Sequence, residues 1–113
     1  MSSQLDRFLG QLAVYAQLGR LKENEHYAVV DGKLCIHLPG AYEIYLAERR
    51  AAGQPDDTNG LTALRRCVKE NIDAGGYVVD DTKRVALNRK TPRVLALDLA
   101  RVPASIDLDG FAV

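Results

Sequence analysis

Hydrophobic residues recur at intervals of three and four positions in three stretches of the chain, which is the spacing of one buried face of an α-helix. The first stretch predicts a helix over residues 4–18, with an apolar face made of Leu5, Phe8, Leu9, Leu12 and Ala16. Gly19 is well suited to end this helix, because glycine readily takes the left-handed conformation of a helix C-cap. A second helix is predicted over residues 41–52, after Pro39 and Gly40. Each helix therefore needs a partner that covers its apolar face.

The third helical stretch, residues 61–74, has the clearest division between an apolar and a charged side. Its apolar stripe, which we expect to lie in the core, is made of Leu61, Leu64, Val68 and Ile72. This arrangement leaves Arg65, Arg66 and Lys69 on the exposed side of the helix. A polar turn over residues 54–60 joins it to the second helix.

Alternating apolar and polar residues predict two β-hairpins. In the first hairpin, Asp31-Gly32 separates two apolar strands, and this dipeptide favours a type I′ turn, which needs positive φ at both central residues. In the second hairpin, strands over residues 85–87 and 93–97 are joined by a basic loop. We interpret residues 80–83, which precede this hairpin, as a turn.

The order of these elements is typical of a winged helix-turn-helix. In this fold, the second of two successive helices docks on the rest of the domain through an apolar stripe. Its opposite face is then free to enter the major groove of DNA. The hairpin that follows, the wing, lies beside the neighbouring phosphates. We therefore predict an α+β fold, a winged helix-turn-helix of three helices and two β-hairpins, as one domain over residues 1–113. Its core is expected over residues 4–99, with residues 100–113 as a C-terminal tail.

Positive charge is concentrated in the part of the chain that holds the third helix and the second hairpin. The chain has 15 basic and 15 acidic side chains, yet residues 61–101 carry nine basic and only five acidic ones. Arginine and lysine beside a phosphate backbone gain from charge pairing and from the release of counterions. The predicted nucleic-acid contacts are Arg65, Arg66, Lys69, Lys83, Arg84, Arg89, Lys90 and Arg93.

Residues that could carry catalysis or bind a metal lack the spacing that such sites require. The acidic pair Asp80-Asp81 falls in a predicted turn, where aspartate commonly turns or caps the chain. Cys35 and Cys67 have no metal-ligand spacing with histidine, and we expect both as buried, reduced thiols. We therefore predict no enzyme activity, no catalytic residue, no metal and no other cofactor.

The composition is that of a globular domain without a membrane span. The longest apolar runs fall far short of the roughly 20 residues that a membrane-crossing helix needs. Asp6 and Arg7 interrupt the first apolar residues, so the start of the chain does not read as a secretory signal. We therefore expect a cytoplasmic protein with no membrane partner.

Short motifs recur in a characteristic order within residues 18–99. They are Leu-x-Ile-x-Leu at 34–38, a tyrosine-bearing helix, Leu-Arg-Arg at 64–66, Lys-Arg-Val at 83–85 and Leu-Asp-Leu at 97–99. This series resembles the winged-helix module at the end of phage- and plasmid-type primase-helicases. The resemblance implies an accessory domain in DNA replication that binds duplex or single-stranded DNA, or holds the helicase or primase domains of a parent protein. The chain contains neither a P-loop nor an acidic primase motif, so neither activity is expected to reside in it.

The same fold leaves a second function open, a protein-interaction or dimerisation module that does not bind DNA. Such a module would use the helix carrying Tyr42 and Tyr45, or an exposed strand edge, and could form a homo-oligomer. An exposed apolar patch around Tyr42, Tyr45 and Phe111 would favour this alternative. A basic stripe that continues from the third helix to the wing would favour nucleic-acid binding.

Overall fold

The computed structural model describes residues 3–54 and 60–111, which form three α-helices and one four-stranded antiparallel sheet. The helices are α1 (Ser3–Gln17), α2 (Leu38–Ala51) and α3 (Gly60–Asp73), and a short 3₁₀ helix follows at Asp109–Phe111. The strands are β1 (Tyr27–Val30), β2 (Lys33–Ile36), β3 (Val78–Arg84) and β4 (Arg93–Asp98), in the sheet order β1-β2-β4-β3. The predicted α+β class, with three helices and antiparallel strands, is confirmed for these residues.

The helix bounds agree closely with the predicted ones, except at the start of α2. This helix begins at Leu38, with His37 as its N-cap and Pro39 in its first turn. Proline fits there because the backbone N–H groups of the first helical turn have no acceptor within the helix. The absence of an N–H on proline therefore costs no helical hydrogen bond. Residues 55–59 of the predicted polar turn lie outside the described residues.

The first hairpin has the predicted turn. Asp31 has φ of 51° and Gly32 has φ of 74°, the positive values that a type I′ turn requires. β1 then pairs with β2 from Tyr27 opposite Ile36 to Val30 opposite Lys33. The Asp31-Gly32 dipeptide therefore sets the register of this half of the sheet.

The second hairpin differs from the prediction. β3 spans Val78–Arg84, so the turn predicted over residues 80–83 and the strand predicted over 85–87 are both wrong. Val78 pairs with Leu97 and Arg84 with Arg93, so seven residues of β3 lie opposite five of β4, and the strand is bulged. Residues 80–83, which favour a turn by their own preferences, instead form part of β3. The strand remains paired with β4 and accommodates them through shifts in register.

The main core lies between one face of the sheet and the three helices. Its fully buried members include Leu5, Leu9, Leu12, Leu21, Leu34, Ile36, Leu64, Val78, Leu97 and Phe111. Of the stripe predicted on α3, Leu64 and Val68 are buried, whereas Leu61 and Ile72 are only partly buried at the edge of the same core. Buried Asn71 accepts a hydrogen bond at its Oδ1 from the Val78 N–H at 2.9 Å, which ties the end of α3 to the start of β3.

Residues 106–111, which the sequence predicts as part of a C-terminal tail, contribute to this core. Ile106, Leu108 and Phe111 are buried, and the Phe111 ring meets the Tyr27 ring edge-on at 4.9 Å between centroids. A Cβ atom added at Gly110 would overlap the backbone of Ala13, so the segment lies directly against α1. The packed core therefore extends beyond the predicted range of residues 4–99.

The tyrosines of α2 serve packing between helices. Tyr42 and Phe111 are buried, and Tyr45 is partly buried with its ring edge-on to Phe8 at 5.0 Å. The exposed apolar patch that would have favoured a protein-interaction module is therefore not formed by these residues.

Among residues 3–54 and 60–111, none of the helices combines the length and apolar character that crossing a membrane needs.

Candidate nucleic-acid interface

A cleft of about 450 Å³ opens between α3 and the strands β3 and β4, and basic side chains line it. The three cations on its walls are Arg65 and Lys69 from α3 and Arg93 from the start of β4. All three are exposed. We call this feature the α3–β4 cleft.

The helix and the sheet bring these cations together for simple geometric reasons. Arg65 and Lys69 are four residues apart and therefore lie one above the other on α3. Arg93 and Leu95 lie on the same face of β4, because side chains two positions apart in a strand point the same way. Since Leu95 is packed in the core beneath the helices, Arg93 lies at the rim of that core, on the side that faces α3.

The remaining walls of the cleft are mixed in character. Apolar surface comes from Leu38, Pro39, Val94 and Leu95, and polar surface from His37 and Thr82. A single carboxylate, that of Asp81, also lines the cleft, and its Oδ2 lies 3.5 Å from the Nζ of Lys69. Three cations and one carboxylate leave the lining with a net positive charge, which suits a phosphate group.

Arg84 extends the positive charge along the hairpin. It pairs directly with Arg93 across β3 and β4, so the two guanidinium groups lie on the same face of the sheet. Its Nη1 donates a hydrogen bond to the Thr91 carbonyl at 3.3 Å, which leaves the other N–H groups of the guanidinium for a ligand. Arg84 therefore lies beside the cleft without forming its wall.

Lys83 and Arg66 do not line the cleft. Lys83 pairs with Val94, which is packed on the opposite face of the sheet together with Cys35 and Leu87. Burial raises the pKa of the Cys35 thiol, and the nearby positive charges of Lys83 and Lys33 partly offset that increase. Arg66 is exposed on another side of α3.

The loop between β3 and β4, residues 85–92, is folded back against the sheet. Leu87 is only 2% exposed, and the Asn88 N–H donates to the Asn24 carbonyl at 2.8 Å. Asn88 and Arg89 have φ of 52° and 65°, and Leu87 and Lys90 exchange backbone hydrogen bonds, as in a type I′ turn. Arg89 and Lys90 are therefore exposed at the tip of a tight, anchored turn, and the loop is not a free arm.

A second, smaller cleft of about 270 Å³ lies at this turn and shares His37 with the α3–β4 cleft. Lys90, Asn88 and Glu25 also line it. Burial and repulsion from His26 hold the pKa of His37 below its ordinary value, and Glu43 opposes this effect. His37 therefore lines both clefts, and its lowered pKa favours the neutral imidazole near pH 7.

The structure separates the eight predicted contact residues into groups. Arg65, Lys69 and Arg93 share the α3–β4 cleft, with Arg84 beside it. Lys90 lines the second cleft, Arg89 is exposed at the loop tip, and Lys83 and Arg66 lie elsewhere. Sequence reasoning did not select His37, Asp81 or Thr82, because nothing in their local sequence shows that α2, β3 and β4 meet at this point.

Cysteines and other possible metal ligands are dispersed. Cys35 is buried, as predicted, but Cys67 is only partly buried, and the two do not form a disulfide with any described residue. Within the part of the chain that the structure describes, no group of three or more His, Cys, Asp or Glu side chains is placed to hold a metal ion.

The comparisons identify no relative. No family model matches the chain, and neither a curated protein nor a solved structure is significantly similar to it.

Proposed function

We propose that this chain is a nucleic-acid-binding domain that holds the phosphate backbone in the α3–β4 cleft. The observation that carries the proposal is the convergence of Arg65, Lys69 and Arg93 from two different elements on one concave surface. Guanidinium groups present several N–H donors in a plane and bind phosphate oxygens in pairs, and lysine adds a point charge. Such contacts give affinity that depends on salt and fix the orientation of the nucleic acid.

A winged-helix arrangement of this surface is also part of the proposal. It is supported by the order of the elements, in which α2 and α3 follow each other and the β3–β4 hairpin comes next. In that arrangement, α3 presents Arg65 and Lys69 to the nucleic acid and the start of β4 presents Arg93. Arg89 and Lys90 contribute from the loop tip, where Lys90 lines the second cleft.

The role of an accessory domain in DNA replication, beside a primase or helicase engine, rests on the sequence resemblance alone. It remains a proposal about the setting in which the domain works, and binding in the α3–β4 cleft does not depend on it. No catalytic step is assigned to the cleft.

Replacing cleft cations tests the location of the site. In the variant R65Q/K69Q, the slope of log affinity against log salt for duplex DNA should flatten by about one to two units, because up to two phosphate contacts are lost. The matched control R20Q/K22Q removes two positive charges from the exposed loop after α1 and should change the slope by much less. Fluorescence anisotropy with a labelled duplex at several salt concentrations measures both.

An equal loss of binding in the cleft variant and its control would reject the α3–β4 cleft as the site, since it would show a response to overall charge alone. The variant R89A/K90A adds a second comparison. R89A/K90A should lose less affinity for DNA than R65Q/K69Q. Of Arg89 and Lys90, only Lys90 lines a cleft, and that cleft is the smaller of the two.

A further inference from the structure

We propose that Asp81 sets the affinity and selectivity of the α3–β4 cleft by competing with phosphate for Lys69. This inference rests on the proposed function. It assigns to Asp81 the role of limiting the binding of any ligand that offers the cleft only negative charge.

The first observation is the way in which β3 directs Asp81 into the cleft. The pairing of β3 with β4 shifts between Asp80 and Lys83, where one extra residue is accommodated. The Asp80 carboxylate accepts hydrogen bonds from the N–H of Thr82 at 2.8 Å and from its hydroxyl at 2.9 Å, and these bonds hold the pKa of Asp80 below its usual value. A bulge of this kind changes the direction in which a side chain points. Here Asp81, between Asp80 and Thr82, lines the cleft.

The second observation is the ion pair between Asp81 and Lys69. The Lys69 side chain is 75% exposed, whereas that of Asp81 is 28% exposed, so the carboxylate lies mostly within the wall and the lysine lies largely in solvent. A phosphate that enters the cleft must take Lys69 away from this carboxylate and also lie close to the carboxylate's negative charge. Both effects lower the affinity for phosphate.

The consequence concerns selectivity. Within residues 3–54 and 60–111, Lys69 is the cleft cation that forms an ion pair, so Arg65 and Arg93 retain most of their attraction for phosphate while Lys69 is restrained. A ligand that brings a hydrogen-bond donor, such as the exocyclic amino group of cytosine, can offset the negative charge of Asp81 by donating to its carboxylate. Nucleic acid with a suitably placed base edge is therefore disfavoured less than a bare polyanion.

The variant D81N tests this role, with D73N as its matched control, because Asp73 lies exposed at the end of α3 and does not line the cleft. D81N should bind a non-specific duplex about two- to fivefold more tightly than the unaltered protein at low salt, in keeping with the strength of exposed charge pairs. Its slope of log affinity against log salt should steepen by about 0.9, the value of one additional phosphate contact. D73N should gain clearly less in both respects.

A cycle with K69Q separates competition from a general change in charge. K69Q should cost more affinity in the D81N background than in the unaltered protein, because Lys69 is fully available only where the carboxylate at position 81 has been removed. Equal costs in the two backgrounds, or a D81N gain no larger than that of D73N, would overturn the proposed role of Asp81 and leave DNA binding intact. Absence of salt-sensitive binding by the unaltered protein and by D81N would overturn both. Thermal unfolding of D81N and of D81A establishes that any change in binding occurs in folded protein.

Discussion

Phe111→Ala is expected to lower the free energy of unfolding by about 3–5 kcal/mol, the range observed for truncating a buried phenylalanine. Phe111 is 1% exposed and packs edge-on against Tyr27 on β1. Its removal leaves a cavity between the C-terminal segment and the sheet and also loses the aromatic contact. Denaturation in urea, followed by circular dichroism, measures the change.

The exposed Leu18, which is 65% accessible in the turn just after α1, provides the matched control. Leu18→Ala should change the stability by less than about 0.5 kcal/mol, as surface substitutions usually do. If Phe111→Ala had an equally small effect, residues 100–111 would not be part of the cooperative core. The tail predicted from the sequence would then be the better description.

Leu64→Ala is the second substitution with a large expected effect, a loss of about 2–5 kcal/mol. Leu64 is 1% exposed and lies in the core cluster beneath α3, directly before Arg65 in the sequence. The substitution therefore tests whether α3 is docked through its apolar stripe, on which the position of the cleft cations depends. The same denaturation experiment applies, with Leu18→Ala again as the control.

Leu61→Ala refines this test, because Leu61 is only partly buried at the edge of the same core. Its cost should fall clearly below that of Leu64→Ala. A change of less than about 0.5 kcal/mol for Leu64→Ala would remove α3 from the core, since buried leucine truncations do not cost so little.

The helices and the first turn could be predicted because their signals are local. The spacing of Leu61, Leu64 and Val68 specifies a helix with one buried side whatever lies beneath it. Asp31-Gly32 likewise specifies a turn through the backbone preferences of its own two residues. These elements were placed within a few residues of their positions in the structure.

The second hairpin could not be predicted in the same way, because its strand pairing is not local. Asp80, Asp81 and Thr82 favour a turn by their own preferences, yet pairing with β4 holds them in a bulged strand. The burial of Phe111 depends on Tyr27, which lies more than eighty residues earlier in the chain. A pattern read along the chain contains no signal for either contact.

The candidate site shows the same division. The surface position of Arg65 and Lys69 follows from the period of α3, but their proximity to Arg93 depends on how α3 packs against the sheet. The carboxylate of Asp81 could not be placed beside Lys69, because the bulge that directs it there is a property of the paired strands. Lys83 was grouped with the other cations by sequence position, although strand alternation turns it to the opposite face.

The most direct test of nucleic-acid binding in the α3–β4 cleft is a salt titration of the unaltered protein with duplex and single-stranded DNA. At the cleft, Arg65, Lys69, Arg93 and Arg84 supply four charges and Asp81 removes about one, so about three phosphate contacts there should give a slope of log affinity against log salt near −2.7 on duplex DNA, and the smaller contribution of Arg89 and Lys90 steepens it further. Non-specific dissociation constants of about 10⁻⁴–10⁻⁶ M are expected at physiological salt. Absence of salt-sensitive binding to either form of DNA at low ionic strength would contradict the proposed function.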